Sequence, residues 1–183
     1  MNDLLDWRIG SRDIGRDGRA VNLAATPAEL DRVAAALDLA ACRSLAFSGH
    51  VRPLAGSRYL VEGVLTADVA QRCVVTLDPV DAVVREKVAV EFWPPEDVEA
   101  GPSTSFDALS GDDPEPIENG SVSLGRLAYE LLAAGLDPYP RKPGAEIDGQ
   151  YLPGADPDAH GSKPFAGLAC LKPAGEPGAE PER

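Results

Sequence analysis

The spacing of apolar residues predicts a helix near the start of the chain. In TPAELDRVAAAL (26–37), apolar positions recur at intervals of three and four, which is typical of an amphipathic helix. Thr26 and Glu29 stand three residues apart, as in a capping box, and Pro27 suits the first helical position. The preceding RAVNLA (19–24) predicts a short edge strand.

From residue 43 to residue 93 the apolar period changes to two, which predicts strands with one buried face. Short turns at RPLAGSR (52–58) and at Asp78-Pro79 separate the alternating runs, so neighbouring strands should be antiparallel. The positions predicted to face the core are Leu45, Phe47, Gly49, Val51, Tyr59, Val61, Gly63, Leu65, Cys73, Val75, Leu77, Val80, Ala82, Val84, Val88, Val90 and Phe92.

A second helix is predicted in SVSLGRLAYELLAAG (121–135), capped by Ser121 or Ser123 and ended by Gly135. The intervening segment, about 94–120, is acidic and rich in Pro, Gly and Ser, and we predict a mobile loop there. The expected fold is therefore α+β: a curled or barrel-like antiparallel sheet of about four to six strands, with two main helices packed on it and a long acidic loop.

Charge limits the function classes. The chain has 17 basic and 30 acidic residues, a formal net charge of -13, which argues against broad electrostatic binding of nucleic acid. Residues 94–125 contain eight acidic residues and no Lys or Arg, so they hold most of the excess. Three widely spaced cysteines imply no disulfide framework. With no signal-peptide pattern and no membrane-length apolar run, we expect a cytoplasmic protein.

The sequence offers no catalytic constellation. Nucleotide-binding and zinc-protease motifs are absent from the sequence, and His50 and His160 have no partners at metal-ligand spacing. His50 falls on the outward side of its strand, where we expect a solvated surface histidine. Cys73 is expected to act as a small buried hydrophobe. We therefore expect a protein without enzymatic activity, cofactor or metal.

The remaining candidates are surfaces. PYPRKP (138–143) combines a stiff backbone with Tyr139, Arg141 and Lys142, which suits stacking on RNA bases and contact with phosphates, or an acidic protein patch. A rigid connector with a packed tyrosine and solvated charges is the alternative. A second basic surface is predicted on the strands, formed by Arg72, Arg85 and Lys87. The alternative is that these residues belong to a solvated sheet face.

Three stretches resemble a known family. RCVVTLDPV (72–80) and PEPIENGSVSLGRLAYELLAAGLDPYPRKPGAEI (114–147), together with KPFAGLACLK (163–172), resemble the YceD family of large ribosomal RNA accumulation proteins, in an alphaproteobacterial form. Many members have a C-x2-C pair and further C-terminal cysteines that suggest zinc. Here Ala70 stands three residues before Cys73, so no metal inference transfers.

The resemblance implies a ribosome-biogenesis factor that supports accumulation or maturation of large-subunit ribosomal RNA. Its partner would be that RNA or a pre-ribosomal particle. From the residues themselves, we expect the contact to be made through Tyr139, Arg141, Lys142 and the basic strand residues. An acidic adaptor or chaperone for a basic ribosomal protein is the alternative. The expected domain spans residues 1–172, followed by a disordered tail at 173–183.

Overall fold

The structure, a computed structural model, describes residues 4–99 and 114–146. The chain divides into two compact units, residues 1–145 and 146–183, and the elements below all belong to the first. The predicted boundary at residue 172 and the predicted tail lie outside the described residues. The elements are β1 Arg8–Gly10, a 3₁₀ turn Ser11–Asp13, β2 Arg19–Ala24, α1 Pro27–Ala36, β3 Ala41–Pro53, β4 Tyr59–Arg72, β5 Pro79–Trp93, α2 Pro95–Glu99, β6 Glu115–Pro116, β7 Ser121–Ser123 and α3 Leu124–Gly135.

The principal sheet has five strands in the order β2-β3-β4-β5-β6. Strands β2 to β5 are antiparallel neighbours, as their short connections predict, whereas β6 joins β5 in parallel at Phe92 and Trp93. The α+β class is thus confirmed, but the sheet is mixed and open rather than closed into a barrel. A separate two-stranded ribbon pairs β1 with β7.

The predicted strand parity is confirmed along the central strands. The core side of β3, β4 and β5 is buried at Leu45, Phe47, Val51, Val61, Leu65, Val84, Val88, Val90 and Phe92. Both predicted main helices contribute to the same core, α1 through Val33 and α3 through Leu132, which are fully buried. Apolar burial on this scale supplies most of the driving force for folding.

Two opposed glycines pack against the Phe47 ring in the middle of the sheet. Gly49 of β3 lies opposite Gly63 of β4, and a Cβ added to either would lie 2.8 Å from Cζ of Phe47. The Phe47 ring therefore covers the space that two side chains would otherwise fill. Glycine is required at both positions because the ring and the backbones approach so closely.

The predicted capping box of α1 is present. The Thr26 side chain accepts a hydrogen bond from the Glu29 amide, and Glu29 accepts from the Thr26 amide at 2.8 Å and the Asp6 amide at 2.9 Å. Burial raises the pKa of Glu29, but these hydrogen bonds outweigh it and hold the pKa below its ordinary value. The box thus also fastens the segment before β1 to the helix.

The second predicted helix starts later than expected. Ser121 and Ser123 belong to β7, and Ser123 occupies the N-cap position without a capping side-chain hydrogen bond. The helix ends at Gly135, as predicted, but Gly135 is not left-handed. Close packing explains this glycine better, because an added Cβ would lie 2.7 Å from Cγ1 of Val84.

Parts of the predicted acidic loop are ordered elements. Residues 95–99 form α2, where Asp97 accepts hydrogen bonds from Arg58, whose guanidinium carbon lies 3.8 Å from the Trp93 ring centroid. After it, β6 is joined to α3 by Arg126, which pairs with three carboxylates, those of Glu115, Glu118 and Glu130. The prediction of a mobile loop is therefore wrong at both ends, and its middle, 100–113, lies outside the described residues.

Candidate functional site

The segment Asp137–Lys142, which we call the elbow, follows α3 and is fixed to the end of β4. The Gln71 side chain donates to the Asp137 carbonyl at 2.8 Å. The Val74 amide donates to the Pro140 carbonyl at 2.9 Å. These bonds use backbone atoms of the elbow, so they fix its path whatever its side chains are. Proline at 138 and 140 restricts the backbone further.

A tight turn at residues 73–78, which we call the cysteine turn, is hydrogen-bonded to the elbow. The Cys73 amide donates to the Asp78 carbonyl at 2.8 Å, and the Leu77 amide donates to the Cys73 carbonyl at 2.9 Å. Leu77 has a φ of 62° and is 70% exposed. The prediction that Val75 and Leu77 continue a strand with inward side chains is wrong, because the chain turns directly after Arg72.

The Cys73 thiol is more than a buried hydrophobe. It is fully buried, and its Sγ accepts hydrogen bonds at 3.4 Å from the amides of Val75, Thr76 and Lys142. The Lys142 amide is the largest cause that lowers the pKa of this thiol to about 6, and donors in the turn add to it. Cys73 thus links the cysteine turn to the elbow through its sulfur.

The elbow side chains differ in how much they are engaged. Tyr139 is 73% exposed. The alternative of a rigid connector predicted a tyrosine packed on the sheet, and that part of the prediction is wrong. Arg141 is exposed and has no ion pair within the described ranges. Lys142 pairs with Asp78 at 3.0 Å, which lowers the pKa of that carboxyl, yet both side chains stay about half exposed. A solvated pair of this kind contributes little to stability.

Arg72 lies beside the elbow, at a cleft of about 470 Å³. The cleft is formed by residues 37–39 directly after α1, the end of β4, the end of α3, and Pro138 and Pro140 of the elbow. The Arg72 guanidinium lies 3.7 Å from the Asp38 carboxylate, which is almost fully exposed. One predicted strand cation is therefore near the elbow.

The structure does not bring Arg85 and Lys87 to the elbow. Both are exposed on the outer sheet face, opposite Thr66 and Val64 of β4. Arg72 pairs with Pro79 at the start of β5, and a strand rises about 3.3 Å per residue, so Arg85 lies about 20 Å further along. The second predicted basic surface is therefore divided, with Arg72 near the elbow and with Arg85 and Lys87 apart from it.

Histidine and metal chemistry find little support in the described part of the chain. His50 is partly buried rather than solvated, and its Nδ1 has no hydrogen-bond partner among the described residues. Within residues 4–99 and 114–146, no three His, Cys, Asp or Glu side chains are grouped so that they could hold a metal ion.

Comparison with known proteins does not assign the chain to a family. The chain matches no protein-family model, no curated protein and no solved structure. The resemblance to the YceD family therefore stays a prediction. None of the described helices has both the length and the apolar character that crossing a membrane requires.

Proposed function

We propose that the protein binds large-subunit ribosomal RNA, or a precursor particle that contains it, through the elbow and so supports accumulation of that RNA. The observation that carries the proposal is the exposed pair Tyr139 and Arg141 on an elbow whose backbone is fixed in advance. An ordered backbone reduces the entropy lost on binding, and an aromatic ring beside a cation suits an unpaired nucleotide.

The number of available cations sets the expected strength of binding. Arg141 is free of ion pairs among the described residues, whereas Lys142 and Arg72 each face a carboxylate. Few phosphate contacts imply weak, salt-sensitive affinity, in keeping with a net charge of -13. We therefore assign recognition to stacking on Tyr139 as well as to charge. The proposal assigns no reaction to the chain.

Crosslinking in cells tests the proposal. We expect tagged protein to crosslink to large-subunit ribosomal RNA, and the double variant Tyr139→Ala/Arg141→Ala to reduce that yield at least about fivefold. Arg16→Ala is the matched control, because Arg16 is also exposed and unpaired among the described residues. It removes the same charge far from the elbow. Normal crosslinking and normal ribosomal RNA levels in the double variant would contradict the proposal.

Salt dependence of binding to a single-stranded RNA fragment provides a second readout. Each phosphate contact contributes about 0.7 to the slope of log K against log salt for single strands. Arg141→Ala should reduce the slope by about that amount, whereas Tyr139→Ala should weaken binding at every salt concentration and leave the slope unchanged. Equal slopes for wild type and Arg141→Ala would exclude Arg141 as a phosphate contact.

The acidity of the chain favours a second candidate, an adaptor or chaperone for a basic ribosomal protein. Residues 94–125 carry eight acidic residues without a basic one. In that case the complex isolated from cells should survive RNase treatment, and removal of residues 96–116 should abolish it. Loss of the complex with RNase, and its persistence without residues 96–116, would support the RNA contact instead.

A further inference from the structure

The outer edge of β5 is open over most of its length within the described part of the chain. On one side β5 pairs with β4 from Pro79 to Phe92, without a register shift. On the other side β6 pairs only with Phe92 and Trp93, and none of the other described strands pairs there. Unpaired amide and carbonyl groups along such an edge accept a further strand.

The exposed side chains of β5 give this edge a charge polarity. Its outward residues are Asp81, Val83, Arg85, Lys87 and Ala89, all of them exposed. Val83 is 78% exposed, an unusual value for a valine in a long strand. Arg85 and Lys87 have no ion pair among the described residues. The outer face of the strand is therefore positive toward the middle.

The start of the same strand is negative. Arg43 of β3 pairs with Asp81 and also with Asp68 of β4, so two carboxylates share one guanidinium there. That leaves one uncompensated negative charge, about six residues before Lys87. A strand with a negative start and a positive middle is complementary to a second copy of itself running in the opposite direction.

We propose that two copies of the chain pair antiparallel through the outer edges of their β5 strands, in the register centred on Val84. A two-fold axis perpendicular to the sheet places residues of the same face opposite one another. This register sets Lys87 of each copy opposite Asp81 of the other, with about 4.5–5.5 Å between their Cβ atoms, as is typical of cross-strand pairs. Centring on Arg85 or Glu86 would oppose identical charges.

The register also fits the rest of the fold. It uses residues 79–89 of each copy and leaves Phe92 and Trp93 to β6. The two sheets would become one continuous sheet, and Val83 would lie opposite Arg85, whose aliphatic stem can cover it. The inference is separate from the RNA proposal, because no elbow residue belongs to the paired segment.

Sedimentation equilibrium of the full chain at about 5 to 500 µM tests the proposal, because this concentration range covers dimers with micromolar dissociation constants. Far-UV circular dichroism checks that each variant is folded. Wild type should rise with concentration from 19.2 kDa toward twice that mass. Lys87→Asp and Asp81→Lys should each weaken the dimer at least about tenfold. The double variant Asp81→Lys/Lys87→Asp should return to within about threefold of wild type, because the opposed pairs are restored.

The control is Arg16→Asp, which changes the net charge as Lys87→Asp does, in a turn outside β5. It should dimerise like wild type. A wild-type mass that stays at 19.2 kDa throughout would overturn the proposal and leave the edge to a different partner strand. Single variants that dimerise as tightly as wild type, or a double variant that fails to recover, would overturn the register.

Discussion

Replacing Gly63 with alanine should destabilise the fold, because the added Cβ meets backbone atoms. It would lie 2.5 Å from the Ser48 carbonyl oxygen and 2.8 Å from both Cα of Gly49 and Cζ of Phe47. Ordinary contact begins at 3.4 Å, so the nearest atom would have to retreat by 0.9 Å, the difference between 3.4 and 2.5 Å. Both strands are held by ladders on two sides, and such a shift stretches their hydrogen bonds.

The magnitude follows from two opposing effects. Overpacking of a dense core costs about 1–3 kcal/mol, and removing a glycine from the unfolded chain returns about 0.4–1 kcal/mol. We expect a net loss of about 1–2 kcal/mol in the free energy of unfolding. In a unit of this size that corresponds to a fall in Tm of about 2–8 °C.

Thermal unfolding followed by circular dichroism measures the effect of Gly63→Ala. Gly15→Ala is the matched control, because its nearest neighbour would lie 4.0 Å away, and its Tm should be unchanged or slightly higher. Adding Phe47→Leu to Gly63→Ala should recover little, since the Ser48 carbonyl remains in the way. A Gly63→Ala protein as stable as wild type would refute the close packing of β3 on β4.

Two further predictions concern the hydrogen bonds that join segments. Cys73 has a folded pKa of about 6 against an ordinary 9.0, so its ionised form stabilises the fold fully above pH 9 and ceases to do so as pH falls through 6. The urea midpoint of wild type, relative to that of Cys73→Ser, should therefore increase as pH rises from 6 to 9. A difference that stays constant over this range would contradict ionisation of the Cys73 thiol in the folded protein. Thr26→Ala should lower the free energy of unfolding by about 1 kcal/mol in urea titrations, while Thr26→Ser should retain most of it; equal losses would mean that the hydroxyl does not cap α1.

The regular elements were predictable because their signals are local. Thr26 and Glu29 lie three residues apart, and the reciprocal bonds of a capping box require no distant residue. Alternation placed Val84, Val88 and Val90 on the core side of β5 without knowledge of the partners of that strand. Signals of this kind depend only on the neighbouring residues in the chain.

The cysteine turn was missed because apolar residues normally indicate burial. Val75 and Leu77 continue the alternation of β4, yet Leu77 is exposed in a left-handed conformation. The Thr76 and Asp78-Pro79 pattern was the available signal for an earlier turn. The contact of Cys73 with Lys142 spans 69 residues and uses a backbone amide, which leaves no trace in side-chain pattern.

The candidate site was predicted only in part. The sequence identified Tyr139, Arg141 and Lys142 as neighbours, and Arg72 lies at the adjacent cleft. Arg85 and Lys87 were grouped with Arg72 in a second basic surface, but the sequence pattern indicates the face of a sheet and not the position along a strand. The ion pair of Lys142 with Asp78 likewise depends on the turn that was missed.

Because main-chain groups and Gln71 hold the elbow in place, its shape is independent of what residues 139 and 141 are. Those two positions can therefore be exchanged without rebuilding the scaffold beneath them. If the elbow binds as we propose, a library of substitutions at 139 and 141 would change ligand preference while the melting behaviour stayed constant, which makes this corner a natural starting point for redirecting the protein to other targets.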